Sequence, residues 1–245
     1  MHVRSVLTLA VAFTCVTVSA QQRQVRELVA DLAAADPVVR ARAACDLKQE
    51  GDRAAESIAP LVKMLGDASP VDPAVCQERW GRGSDNQTSP GELAAAALVG
   101  IGSQALQPLI AALDQPVWIA RRNAAWALGA LDDPRGIVPV TSALRDREPG
   151  VRAQAAWALG AMDAEAAIQG LITTLKDSDE RVRQQAAWAL GAIDAQPAVQ
   201  ALVAALKGSH EGVRKQAAWA LGAIGHASAA DGLIGALRDL SLIHI

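Results

Sequence analysis

A twelve-residue motif that recurs along the chain decides the fold. It reads VRAQAAWALGAM at Val151–Met162, VRQQAAWALGAI at Val182–Ile193 and VRKQAAWALGAI at Val213–Ile224. A looser copy, ARRNAAWALGAL, occupies Ala120–Leu131. The motif places a tryptophan every 31 residues, at Trp126, Trp157, Trp188 and Trp219. Self-similarity at a fixed period of roughly 20–50 residues is typical of proteins built from stacked repeats.

A second pattern precedes each motif. Its apolar residues recur at i, i+3, i+4 and i+7, the spacing of a helix with one apolar face. Seven such segments occur, beginning at Val25, Ile58, Leu106, Ile137, Ile168, Val199 and Ala230. The last four intervals are 31 residues, whereas the second, from Ile58 to Leu106, is longer. The sequence therefore predicts six antiparallel helix pairs and a partial seventh, with an inserted loop over residues 68–89.

Composition agrees with a tightly stacked, all-α array. Hydrophobic residues make up 51% of the 245 residues, yet aromatic residues make up only 3%. The small side chains that supply the difference let helices approach closely. The net charge is −3, which argues against nucleic acid as a partner because phosphate binding needs a concentrated basic face.

The first 20 residues are typical of a secretory signal peptide. A short basic start with Arg4 precedes the apolar run Val6–Val18, and small residues lead to a cleavage site after Ala20. An uncleaved anchor is the alternative, although the run is short for a membrane span, which needs about 20 residues. We therefore expect an exported bacterial protein, periplasmic or secreted, that is not inserted in a membrane after cleavage.

The mature domain is predicted to cover residues 21–239 as one array. After Asp239 the period requires a polar turn and a further helix, but the chain continues as LSLIHI over residues 240–245. This ending looks like a translated sequencing adapter. We expect the natural protein to continue beyond Asp239 and give this tail no functional weight.

The tryptophan position can be placed on the second helix of each pair by projection at 100° per residue. With Val213 at zero, Leu221 falls on the same face, which is the predicted core face. Trp219 falls at about 240°, on the opposite side, beside Lys215 and Gly222. The projection therefore predicts that the ring points away from the core and is not covered by its small neighbours.

The V-R-x-x-A-A-x-A-L-G-x-I motif resembles the HEAT-like repeats of phycobilisome lyase subunits and of many bacterial scaffold proteins, over about residues 24–239. The resemblance implies a right-handed α-solenoid of antiparallel helix pairs whose second helices line the concave face. It thus implies that the four tryptophans form a row along an inner groove.

A row of exposed tryptophans favours binding of a protein or peptide, because tryptophan is enriched at binding hot spots. Polar residues of the same helices are predicted to add contacts. They are Arg122, Asn123, Gln154, Gln184, Gln185, Lys215 and Gln216. Two other interpretations stay open: the rings pack on one another and stiffen the stack, or repeat duplication copied a tryptophan that has no function.

Three cysteines occur, and Cys15 would leave with the signal peptide. The remaining pair, Cys45 and Cys76, suggests a disulfide in an exported protein. Cys45 occupies the tryptophan position of the first motif, so the bond would pin the inserted loop to the first helix pair. Closing such a loop would contribute roughly 3–4 kcal/mol. Two free thiols are the alternative.

The sequence predicts no catalytic residue, no metal and no cofactor. Metal-ligand spacings and nucleophile motifs are absent, and the short spacing of Asp177 and Asp179 does not form a calcium loop. The resemblance extends to HEAT-type iron hydroxylases, whose His-Glu pairs lie on second helices, whereas His210-Glu211 lies in a turn. The alternatives to a scaffold are a repeat ectodomain of a larger protein with a downstream functional domain, and a lyase-type enzyme subunit.

Overall fold

The computed structural model describes residues 24–76 and 88–225, together with residues 230 and 234. The predicted signal peptide, the centre of the inserted loop and the tail over residues 240–245 lie outside the described residues. The chain divides into two compact units, Met1–Ala105 and Leu106–Ile245, where the sequence predicts one continuous array. The described part is almost entirely helical, as the repeat pattern predicts.

The first unit contains two helix pairs. Its helices are α1 (24–31), α2 (Pro37–Glu50), α3 (Ile58–Met64) and α4 (Pro90–Ile101). The long helices α2 and α4 pack side by side, and α3 packs against α4. The insertion leaves the stack between α3 and α4, where an antiparallel bridge joins Val71 to Thr88.

The second unit is a stack of four helix pairs among the described residues. The first helices are seven residues long: α5 (Leu106–Ala112), α7 (Ile137–Ala143), α9 (Ile168–Thr174) and α11 (Val199–Ala205). The second helices are 13 or 14 residues long: α6 (Trp118–Leu131), α8 (Pro149–Ala161), α10 (Glu180–Ala192) and α12 (Glu211–Ile224). The motif tryptophans therefore all lie on second helices, as predicted.

Local sequence explains where the second helices begin and end. Asp179 caps α10 by accepting hydrogen bonds from the backbone N–H groups of Arg181 and Val182. The chain leaves three second helices through a left-handed aspartate, at Asp132, Asp163 and Asp194. Aspartate tolerates this conformation better than most residues other than glycine, so the same turn recurs in these three repeats, and Gly225 takes the left-handed position after α12.

Both helices of each pair contribute to the core of the second unit. The central leucines of the second helices recur every 31 residues and are fully buried, at Leu128, Leu159, Leu190 and Leu221. Leu171 and Leu202 of the first helices are buried as completely. Each second helix packs along its neighbours in the stack, whereas the first helices contact chiefly the second helix of their own pair. The second helices therefore form one continuous row.

One described stretch, Pro90–Ala112, is long and apolar enough to cross a membrane. It comprises two helices, because Gly102 interrupts it with a φ of 84°. More than half of the apolar window, 56%, is buried in the protein, which is typical of the core helices of repeat proteins.

Candidate interaction surface

The four motif tryptophans differ in exposure. Trp126, Trp157 and Trp188 are partly buried, whereas Trp219, on the last of the four second helices, is 47% exposed. The helical projection predicts uncovered rings, and for the first three this is wrong. The projection considers one helix at a time, whereas the rings of Trp157 and Trp188 are covered in part by the preceding second helix, which the ring of Trp219 also contacts.

Glycine makes this contact possible. A Cβ atom added to Gly160 would lie 2.7 Å from Cζ3 of Trp188, and one added to Gly191 would lie 2.8 Å from Cζ3 of Trp219. The same atom on Gly129 would lie 3.1 Å from Cζ3 of Trp157. The glycine and the tryptophan of the motif thus belong to one interface between successive repeats, which we call the glycine–tryptophan contact.

Two of the rings also contact each other. The ring centroids of Trp157 and Trp188 are 6.5 Å apart, and the ring planes differ by 11°. This distance lies within the range of offset-stacked aromatic pairs. The row is therefore continuous at its centre, between α8 and α10.

The predicted glutamines lie on the same helices and are partly buried or exposed: Gln154, Gln184, Gln185 and Gln216. Gln184 lies over Gly212, because a Cβ atom there would overlap its side-chain amide. Lys215 pairs with Glu211 one turn earlier, and both side chains are exposed. Each of the four glutamines is partly buried and so keeps part of its side chain exposed.

The structure corrects the placement of Asn123. This residue is only 3% exposed, and its Oδ1 accepts hydrogen bonds from Nε and Nη2 of Arg122, at 3.2 and 3.1 Å. The other motifs carry the longer glutamine at this position, which explains why the sequence suggests a surface residue. Arg122 itself lies over the ring of Trp118, with its Cζ 5.6 Å from the ring centroid.

The motif arginine forms a second contact between repeats, which the sequence analysis does not predict. Arg152 donates from Nε and Nη2 to the two carboxylate oxygens of Asp177 in the next repeat, at 2.7 and 2.8 Å. Arg121 binds Asp146 in the same way, at 2.7 and 2.9 Å. We call each such pair an Arg–Asp rung; the same separation of 25 positions between Arg and Asp marks both rungs in the sequence.

The rungs keep their carboxylates ionised. Burial acts to raise the pKa of Asp177, but hydrogen bonds from Arg152 and from the backbone N–H of Asp179 outweigh it and lower the pKa. Burial also acts to raise the pKa of Asp146, but hydrogen bonds from Arg121 and from the backbone N–H of Glu148 outweigh it and lower the pKa. The rungs therefore join successive repeats as charged, hydrogen-bonded pairs.

In the first unit, Cys45 and Cys76 lie side by side, with their Cα atoms 5.9 Å apart. This separation lies within the range that disulfides require. Cys45 lies on α2 at the position that tryptophan occupies in the later motifs, and Cys76 lies at the base of the insertion. The predicted disulfide would thus stand where later repeats use an aromatic ring.

A shallow depression of about 440 Å³ lies between α7 and α9, on the first-helix side of the second unit. The hydroxyls of Thr141, Ser142, Thr173 and Thr174 line it, and each donates to a carbonyl of its own helix. No group of three or more potential metal ligands occurs among the described residues. Arg145, Lys176 and Asp177 also line the depression, and the carboxylate of Asp177 is bound to Arg152.

The comparisons with known proteins give the family. The model for HEAT repeats matches residues 106–180, 137–209 and 168–241. The complex of CpcE and CpcF of phycocyanin lyase from Nostoc sp. PCC7120 is similar, with 25% identity, a TM-score of 0.50, and coverage of 84% of this chain and 78% of that one. No curated protein sequence matches the chain.

Two nuclear transport receptors share the fold. Yeast importin-beta, Kap95p, is 13% identical with a TM-score of 0.64, over 94% of this chain and 34% of its own. Kap121p is 16% identical with a TM-score of 0.69, over 91% of this chain and 27% of its own. This chain spans about a third or less of these receptors, and at such identity they show the fold alone. From the repeats that match the family model and the stacked helix pairs that carry them, the chain belongs to the HEAT-repeat family.

Proposed function

We propose that the chain is a non-catalytic scaffold that binds a protein or a peptide along its row of second helices. HEAT repeats suggest a protein-interaction scaffold. Similar solved structures are of complexes, CpcE with CpcF in one case and Kap95 with Nup1 in another. Fold does not carry a partner over, so the partner's identity has to come from this chain's own surface.

The tryptophan row is the observation that carries the proposal. The rings of Trp157, Trp188 and Trp219 each place one edge against glycine and leave part of their remaining surface exposed, most of all at Trp219. Such partly buried tryptophans are pre-ordered by packing, so that binding costs little side-chain entropy. The glutamine amides beside them supply hydrogen bonds that fix a partner's orientation.

The packing of the second unit favours a concave position for this row. The second helices pack along one another, whereas the first helices make few contacts among themselves. A stack that is tighter on one side curves towards that side, and repeat proteins use such curvature to form extended binding surfaces. We therefore propose that the tryptophans line a groove.

We further propose that the mature chain works outside the cytoplasm, in the periplasm or beyond. The signal-like residues 1–20 and the paired cysteines of the first unit support this location. The partner would then be an envelope or secreted protein rather than a cytoplasmic one.

A subunit of a lyase complex is the second candidate function, because CpcE and CpcF match most of this chain. The two candidates differ in their chemistry. A lyase subunit would accelerate covalent attachment or release of a chromophore on a protein, whereas a scaffold would only bind. Turnover by the purified chain, measured with a bilin and a phycobiliprotein subunit, would favour the lyase and overturn the non-catalytic proposal.

The test of the groove should spare the glycine–tryptophan contacts. The groove variant carries Gln185→Ala and Gln216→Ala, which leave the packing of Gln184 over Gly212 in place. The matched control carries Val138→Ser and Arg145→Gln, two exposed residues on the first-helix side. Both are compared with the parent chain as bait for bacterial envelope extract, and captured partners are then titrated while tryptophan emission is followed.

A partner that shifts the emission, binds the control as tightly as the parent and binds the groove variant about tenfold more weakly supports the groove. Equal affinity of all three proteins for that partner would place the binding surface elsewhere and overturn this part of the proposal.

A further inference from the structure

Among the described residues of the second unit, the series of Arg–Asp rungs is interrupted at one repeat. Arg121 and Arg152 each bind the aspartate that follows in the next turn, Asp146 and Asp177. The corresponding residue after Arg183 is Gly208. Arg183 keeps only the hydrogen bonds to the turn before its own helix. Its Nη1 donates to the carbonyl oxygens of Asp177 and Ser178, at 2.7 and 2.9 Å. Among the described residues, its Nε and Nη2 have no hydrogen-bond partner.

The complete rungs show which donors hold a carboxylate in this position. In the rung at Asp177, the carboxylate accepts from Nε and Nη2 of Arg152 and from the backbone N–H of Asp179, at 2.7, 2.8 and 2.9 Å. In the rung at Asp146, the third donor is the N–H of Glu148, at 2.9 Å. Three charge-assisted or backbone donors thus surround each carboxylate, an arrangement suited to bidentate recognition.

The turn at the interrupted rung has the same backbone as the complete ones. Arg214 donates from Nη1 to the carbonyls of Gly208 and Ser209, at 3.0 and 2.9 Å, as Arg152 does to the equivalent carbonyls two repeats earlier. The residue that follows, His210, has φ −90° and ψ 119°, close to the −93° and 123° of Glu148. The N–H of His210 therefore takes the place of the third donor.

The position left by the missing side chain is accessible. Gly208 has no Cβ, and a Cβ atom added there would approach no closer than 3.2 Å to the carbonyl oxygen of Ala205. Gly208, Ser209 and His210 are exposed, and so is the neighbouring cation of Lys207. Oε2 of Glu180 is paired with Nδ1 of His210 at 2.6 Å, and among the described residues the backbone N–H of His210 donates no hydrogen bond.

We propose that Arg183, with the backbone N–H of His210, forms a binding site for the carboxylate of a ligand. The ligand's two oxygens would take the place that Asp146 and Asp177 fill in the complete rungs. The carboxylate belongs either to an acidic side chain of a partner polypeptide or to a small organic acid. The site does not depend on the tryptophan groove, and its failure would leave the groove proposal intact.

Acetate tests the site directly, as the smallest carboxylate that carries a methyl group. The thermal midpoint of unfolding of the full chain is measured in increasing sodium acetate, with sodium chloride at equal ionic strength as the reference. We expect acetate to raise the midpoint in a saturable way, because a ligand that binds the folded state stabilises it. No acetate-specific rise for the parent chain would overturn the proposal.

Three variants show whether the effect belongs to Arg183. Gly208→Asp restores the rung within the chain, so its midpoint should exceed that of the parent without acetate and should no longer respond to acetate. Arg183→Lys keeps the positive charge but loses the two parallel N–H donors of the guanidinium, and should weaken acetate binding about tenfold. Asp177→Gly opens the equivalent site at Arg152, and acetate should restore part of its lost stability.

Two results with these variants would overturn the proposal. If acetate rescues Asp177→Gly but has no effect on the parent chain, the assay detects carboxylates and the site at Arg183 is overturned. If Gly208→Asp responds to acetate as the parent does, the anion binds elsewhere and the proposal is again overturned. Tighter binding of N-acetyl-aspartate amide than of acetate supports a polypeptide ligand at this site, and equal binding supports a free organic acid there.

Discussion

The ring of Trp188 lies over the backbone of Gly160 in the preceding repeat, so closely that a Cβ atom there would be 2.7 Å from Cζ3 of the ring. Glycine to alanine at an open helical position stabilises a helix by about 0.5–1 kcal/mol. We expect Gly160→Ala to do the opposite and lower the free energy of unfolding by about 1–3 kcal/mol, because the ring and the helix must move apart.

Gly222→Ala is the matched control, since no described atom lies within 4 Å of a Cβ atom at Gly222. It occupies the same motif position and should raise the free energy of unfolding by up to about 1 kcal/mol. Urea unfolding followed by circular dichroism measures both variants. Equal effects at the two positions would show that the glycine–tryptophan contact has no energetic weight.

The tryptophans should differ in their contribution to stability. Trp188 is partly buried and stacks on Trp157, so we expect Trp188→Ala to cost about 1–3 kcal/mol of unfolding free energy. Trp219 is 47% exposed, and Trp219→Ala should cost less. Urea midpoints of the two variants test this order, which a reversed ranking would contradict. The expected loss also explains why a partner-binding test should leave the rings in place.

The rungs make stability depend on pH in acid. Asp146 and Asp177 have a lowered pKa in the folded state, so the folded protein binds fewer protons than the unfolded chain. Their contribution is complete above the unfolded pKa, about 3.9, and is lost as the pH falls through the folded pKa. Replacing both with asparagine should lower stability at pH 7 and flatten its decline between about pH 5 and pH 2.

Urea midpoints at a series of pH values measure this effect, and each single variant should show part of it. A decline of the same steepness in the double variant as in the parent would mean that other carboxylates govern the acid sensitivity of the fold.

The disulfide between Cys45 and Cys76 should be detectable by chemistry. We expect no labelling of the native chain by a thiol reagent until a reductant is added. Replacing both cysteines with serine should lower the free energy of unfolding by about 3–4 kcal/mol, because the closed loop spans 31 positions. Labelling of two thiols in the oxidised protein, counted by mass spectrometry, would show that they are free.

The helices and their order follow from the sequence because periodicity is a local property. The i, i+3, i+4 pattern that begins at Ile168 predicts α9, and the aspartate before Glu180 predicts where α10 begins. The pairing of Cys45 with Cys76 stays a prediction that the proximity of the two residues supports. The helices depend on residues that are close in sequence, and the cysteine pairing follows from the number of cysteines that remain after the predicted signal peptide.

The contacts between repeats do not follow from projection of one helix. The cover over Trp188 comes from the preceding second helix, and Asn123 is buried because its shorter amide is held by Arg122. Both partners of each contact stand in the sequence, but in a 31-residue repeat every pair of motif positions keeps a constant offset. The offsets therefore do not single out the pairs that touch.

The glycine–tryptophan contact has a consequence for how such a chain changes length. One copy carries both halves of the interface, a ring for the repeat before it and a glycine for the repeat after it. A recombination event that adds or removes one whole copy therefore leaves each glycine–tryptophan contact complementary, since this contact is head-to-tail and the same in each of these copies. The array can therefore gain or lose repeats without a new contact between repeats having to evolve. The length of its surface can then change with the size of its partner.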